Sequence, residues 1–314
     1  MDLVATRIGG RIDFPFNESN GRQHILSHTF DFFLLLTEMF DGKNTSEILE
    51  AVWVGIVVAN FLVNTYRVER AIELCKESLI ILSKKDVITE TELIQTFFET
   101  LYAIIFKGCD VIGDYTNAIQ YGRKLLAIHS NRSAENAMER RQRLQTSLRL
   151  ATIYHRQSNY VEARRLSEEA LAISKEIGDK EVEASSHESL GIVFQSLGEH
   201  VKAKECLEKA LAIKKEIGDR EEEGRYYGNL GNVFASLGEY AKAKEFLEKD
   251  LALRIEVGDI KGEASCYVNL GTVLQYLGEY VKAKEYYNKA LTIRTKIGQK
   301  VLGADYANLG SVSL

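Results

Sequence analysis

Two histidines, His24 and His28, stand four apart in "GRQHILSHTFDFFLLLTEMF". That spacing places both imidazoles on one helix face, where a zinc-protease helix carries its ligands with a glutamate between them. Here Ile25 follows His24, so the general base is missing and the pair reads as part of a surface or capping helix. The run "GKNTS" from Gly42 ends like a phosphate-binding loop, but Thr37 stands where the upstream glycine belongs and Asn44 follows Lys43. No strand precedes it, and without the glycines the backbone cannot wrap its N–H groups around a phosphate. No Gly-x-Ser-x-Gly nucleophile turn occurs. No metal, nucleotide or other cofactor is expected, and no catalytic residue is assigned.

The remaining chemistry is that of amides. Asn229, Asn269 and Asn308 each stand two residues before a glycine, and Asn232 follows one; Asn60 stands in the matching place upstream. Asparagine is a mediocre helix former because its amide competes with the backbone. A carboxamide offers both a donor and an acceptor, so a row of them can pair with the N–H and C=O of an extended peptide. Arg225, one turn before Asn229, and Arg149, at the asparagine position of an earlier unit, add a charge that acidic side chains can meet. Thr272 and Gln275 complete the row.

These residues recur because the chain does. "ESLGIVFQSLGEH", "GNLGNVFASLGEY" and "VNLGTVLQYLGEY" start at Glu188, Gly228 and Val268, forty residues apart. Leu150, Leu190, Leu230 and Leu270 are equivalent, as are Ala163, Ala203, Ala243 and Ala283 further on. Apolar residues at spacings of three and four predict amphipathic helices, and small residues fall where two helices cross. Gly198, Gly238 and Gly278 predict the turn inside each hairpin; Gly178, Gly218 and Gly258 end the second helix, with Asp179, Asp219 and Asp259 capping the next. A hairpin that cannot bury both apolar sides must stack on its neighbours.

This pattern resembles the tetratricopeptide repeat, in a forty-residue form with glycine in place of the usual closing proline. The "NLG…LGEYAKA…GD" wording is most similar to G-protein-signalling modulators with Leu-Gly-Asn repeats and, more distantly, to kinesin light chains. The resemblance implies an all-α fold, a right-handed α-solenoid whose first helices line a concave groove. It places Asn229, Asn232, Asn269, Thr272, Gln275, Arg225, Arg149 and Asn308 on that groove. Tyr227, Tyr267 and Tyr306 read instead as packing between helices.

The expected organisation is an N-terminal segment over 1–43 with a capping helix, two divergent hairpins over 44–141, and four regular ones over 142–298. The first helix of a further repeat follows over 299–314, which predicts that the chain continues in a longer protein. In the divergent part, hairpins are expected at 46–84 and 93–130, with a capping box opening at Asn44; a second such box is expected at Asp219.

Bulk properties limit the function classes. With 45% apolar and 27% charged residues, a large core can form and disorder is not expected. A net charge of −5, with signs mixed, lacks the concentrated positive surface that nucleic-acid backbones require. "AVWVGIVVANFLV", from Ala51, is too short to cross a bilayer, which takes about 20 residues. Cys75, Cys109, Cys206 and Cys266 are scattered without CxxC spacing and no export signal opens the chain, which suits a reducing, cytoplasmic setting. The glycosylation triplets at Asn17, Asn44 and Asn131 are then incidental.

The leading expectation is a non-catalytic scaffold, a signalling adaptor holding an extended or partly helical peptide in its groove. The alternative is a structural or sensor arm that packs on a neighbouring domain of a larger protein or self-associates.

Overall fold

The computed structural model describes residues 45–83, 92–130, 137–218, 220–298 and 303–312, and among them every regular element is a helix. In chain order these are α1 (Thr45–Asn64), α2 (Val68–Leu82), α3 (Glu92–Ile112), α4 (Tyr115–Ser130) and α5 (Ala137–Arg156). There follow α6 (Tyr160–Ile177), α7 (Lys180–Ser196), α8 (His200–Ile217), α9 (Arg220–Ser236) and α10 (Tyr240–Val257). The last are α11 (Ile260–Tyr276), α12 (Tyr280–Lys296) and α13 (Gly303–Ser311). The expected capping helix before residue 41, and the residues Asn44 and Asp219 that would open the two capping boxes, lie outside the described residues. So do His24, His28 and the glycine and lysine of "GKNTS". The chain forms two compact units, Met1–Leu125 and Leu126–Leu314.

In the first unit, α1 and α2 form a hairpin, α2 packs on α3, and α1 also touches α3. Ala51, Val52, Ile56, Ala59 and Leu62 supply the buried side of α1. Gly108 of α3 lets α2 come close: a Cβ there would lie 2.9 Å from Ile72 and 3.1 Å from Val68. The Cys75 thiol is fully buried, and burial pushes its pKa up to about 12. It behaves as a small apolar residue.

The second unit is an α-solenoid of stacked helical hairpins. Asn159, Asp179 and Asp259 start helices by accepting from the backbone N–H of Glu162, Val182 and Gly262 at 3.3, 3.1 and 2.9 Å. Gly178, Gly218 and Gly258 end the second helices in the left-handed conformation at φ 73°, 75° and 73°. The same conformation at Gly198, Gly238 and Gly278 makes the turn within each hairpin.

Between the two helices of a hairpin, a large side chain lands on a glycine. A Cβ on Gly191, Gly231 or Gly271 would lie 2.6 Å from Leu207, Leu247 or Tyr287 respectively. Leu207, Tyr226, Leu230, Val233 and Leu247 are all fully buried in one continuous seam. The first helices of successive hairpins, α5, α7, α9 and α11, lie against one another, whereas α6, α8, α10 and α12 make no comparable contact in succession. The first helices therefore occupy the tighter side of the stack.

Candidate peptide-binding face

One stripe of each first helix stays out of the core. On α9 it comprises Arg225, Asn229, Asn232 and Ala235; on α11, Ser265, Asn269, Thr272 and Gln275, all exposed or half-buried. On α5 the same register holds Arg149, half-buried and itself engaged in contacts. The helical repeat of 3.6 residues aligns these positions while the apolar ones at 226, 230 and 233 turn inward. Asn308 falls at the same register of α13, half-buried, with its backbone carbonyl accepting from the Ser311 hydroxyl at 2.7 Å.

Several of these side chains are already occupied within the chain. The Asn229 amide donates to Glu188 Oε1 of α7 at 3.0 Å, and Arg225 Nη2 lies 3.1 Å from Glu188 Oε2. Arg225 also pairs with Glu222 and sits 5.3 Å over the Tyr226 ring. The Glu188 side chain is only 8% exposed. Burial raises its carboxyl pKa, and the Arg225 guanidinium opposes that rise. The Tyr226 hydroxyl is fully buried against the same carboxylate without normal hydrogen-bond geometry. On α11, Tyr287 donates to Thr272 Oγ1 at 3.2 Å and to Gln275 Oε1 at 3.3 Å. Gln275 Oε1 also accepts from Ser311 at 3.3 Å.

The carboxamides of Asn232 and Asn269 differ. Both are half-buried, and neither makes a side-chain hydrogen bond with the described residues. Tyr227 and Tyr267 pack edge-on against Phe246 and Tyr286, with centroids 5.9 and 5.4 Å apart. They are packing residues, as their register implies. Tyr306 is not: it is 62% exposed, because no described helix lies against that side of α13.

The tetratricopeptide-repeat family model matches residues 142–216 and again 217–296. This is a tetratricopeptide-repeat protein. Its fold is shared by solved structures at low identity. BtubC from P. vanneervenii is 21% identical with a TM-score of 0.57, over 81% of this chain and 94% of that one. A putative kinesin light chain of Podosopora anserina with nearly identical TPR-like repeats is 20% identical, TM-score 0.51, over 63% and 96%. A Rap protein complexed with Competence and Sporulation Factor is 15% identical, TM-score 0.57, over 85% and 81%. No curated protein matches the chain in sequence.

Sequence reasoning on this tetratricopeptide-repeat protein missed Glu188, which joins α7 to α9. Its register carries Leu148, Glu188, Gly228 and Val268, so no periodic signal marks it. It also missed Asp250, which stands where other repeats carry alanine and is 5% exposed. Arg254 donates to it at 3.0 Å and the Cys266 thiol at 3.0 Å. Gly224 and Gly228 leave it room: a Cβ on Gly228 would lie 2.4 Å from its carboxylate. The one signal available was an aspartate in the register of Ala170, Ala210 and Ala290, coinciding with two glycines on the facing helix.

Among the described residues, no group of three or more His, Cys, Asp or Glu is placed to hold a metal ion, and no helix is long and apolar enough to cross a membrane.

Proposed function

We propose that this protein is a non-catalytic scaffold whose first-helix face holds an extended segment of a partner protein. Asn232 and Asn269 grip the segment's backbone. The observation that carries this reading is their state: two carboxamides on the outward stripe, half-buried, with no side-chain hydrogen bond to the described residues. A half-buried amide without a partner is costly in a wall and useful in a binding face. Arg225 and Asn229 shape the face from behind, because Glu188 already holds them. The complex of a Rap protein with a bound factor is consistent with this use of the fold.

The test uses the full chain and peptides selected on it from a random library. Asn232→Ala with Asn269→Ala removes two amide contacts, and at about 1 kcal/mol each the affinity should fall about 30-fold. Unchanged affinity, with an unchanged thermal transition, overturns the reading.

A further inference from the structure

The ring of Tyr276, the last residue of α11, lies flat against that of Tyr240, the first residue of α10. Their centroids are 4.8 Å apart and 3° separates the planes. Tyr240 is half-buried, but Tyr276 remains 64% exposed. Packing between repeats does not call for this ring. Arg156, Ser196 and Ser236 end α5, α7 and α9 at the same register, and those hairpins close without an aromatic residue there. A large ring stacked on one face and otherwise open is a surface that a ligand can cover.

Tyr276 shares its side of the helix with the amides. Asn269, Thr272 and Tyr276 stand at spacings of three and four, so one side of α11 carries all three. On α9 the same side runs from Asn232 to Ala235 and Ser236, both small. None of these residues is charged. Lys244 and Lys282, next to this edge, already donate to Glu279 at 3.3 and 2.5 Å.

We infer that the segment held on this face is proline-rich and lies along α9 and α11 as a polyproline II helix, with a proline ring on Tyr276. This rests on the proposed grip of Asn232 and Asn269. A polyproline II helix makes no internal hydrogen bonds, so its carbonyls are free to accept from carboxamide N–H groups. Proline brings no N–H that must be satisfied. Its apolar ring matches an exposed tyrosine face, as in other aromatic-lined grooves that take proline-rich segments. Its fixed φ leaves less freedom to lose on binding. The lengths agree as well. Asn269 and Tyr276 are about 10 Å apart along the helix, and one polyproline turn advances about 9 Å. A carbonyl at Asn269 and a proline one turn further on therefore reach both groups.

The test uses the full chain and pools of short peptides, random except for a centre of Pro-x-x-Pro, Ala-x-x-Ala, Phe-x-x-Phe or Glu-x-x-Glu. The proline pool should be retained severalfold more than each of the others. Tyr276→Ser, which matches Ser196 and Ser236, should abolish that advantage without moving the thermal transition, and Tyr276→Phe should keep it. Asn232→Ala with Asn269→Ala in the same assay separates this inference from the amide grip. A proline advantage that needs Tyr276 but ignores the asparagines supports the ring seat and removes the grip. Retention that needs the asparagines but shows no proline advantage overturns the inference and leaves the grip standing. Stronger retention of the phenylalanine or glutamate pool, or a proline advantage that survives Tyr276→Ser, also overturns it.

Discussion

Asn229 donates its amide to Glu188 Oε1 at 3.0 Å across the junction between α7 and α9. Arg225 approaches the other oxygen of the same carboxylate at 3.1 Å. One buried acid thus organises two side chains of the outward stripe. Removing it by Glu188→Ala leaves the Asn229 amide without its acceptor and Arg225 with Glu222 alone, and should cost about 1–3 kcal/mol. Glu188→Gln keeps the acceptor and removes a buried charge, while Glu222 still pairs with Arg225. It should therefore stay within about 1 kcal/mol of the natural protein. Urea denaturation of the two variants measures the difference. Equal losses would show that the carboxylate charge, and not the acceptor, holds the junction.

The Asp250 cluster makes a sharper prediction about compensation. Asp250→Ala restores the residue found at Ala170, Ala210 and Ala290. It nevertheless should destabilise the protein by about 1–3 kcal/mol. Gly224 and Gly228 leave a void where the carboxylate was, the Cys266 thiol loses its acceptor, and Arg254 is left with Asp259 alone. Adding Gly228→Val, as at Val268, fills the void and should recover part of the loss. Gly228→Val alone should be worse than either, since its side chain enters the space of Asp250. A double-mutant cycle by thermal denaturation reads the coupling.

These two clusters show where sequence reading stops. The turns were legible because left-handed backbone calls for glycine at each forty-residue step, and Gly198, Gly238 and Gly278 adopt it. The outward stripe was legible because helical periodicity alone decides which residues leave the core. Whether an outward residue is occupied was not legible. Asn229 and Asn269 share a register, yet only Asn229 meets a carboxylate, because Glu188 replaces an apolar or glycine residue one hairpin earlier. Such cross-hairpin pairs follow from stacking geometry, which a repeat period does not encode.

His187 predicts a dependence on pH. It stands in register with Tyr227 and Tyr267 but is a histidine, 4% exposed, with Nδ1 lacking a partner. Burial, then Lys175 and Lys209, lower its pKa from 6.5 to about 4. The folded pKa lies below the unfolded one, so between them the unfolded chain binds more protons. This contribution is fully present above about pH 6.5 and is lost as pH falls towards about 4. His187→Tyr should remove that slope. It should also add about 0.5–1 kcal/mol, since Lys249 over Tyr227 and Lys289 over Tyr267 show the ring–cation pair that Lys209 could then make. Chemical denaturation at several pH values measures both effects; an unchanged slope sinks the assignment.

The glycine of the repeated "NLG" phrase should respond with opposite sign at two of its occurrences. At Gly231 a Cβ would lie 2.6 Å from Leu247 Cγ and 3.3 Å from the Ala243 carbonyl, so α9 and α10 must separate to admit alanine. Gly231→Ala should cost about 1–3 kcal/mol. Leu247→Ala in the same protein relieves the clash, so the two losses should sum to less than their separate values. At Gly310, among the described residues, no atom outside the backbone of α13 itself would lie within 4 Å of an added Cβ. There alanine meets no obstacle and gains helix propensity, about 1 kcal/mol over glycine. Gly310→Ala should slow amide exchange within Gly303–Ser311 and leave the main transition in place. A fall in protection there would mean that Gly310, like Gly231, receives a side chain in solution.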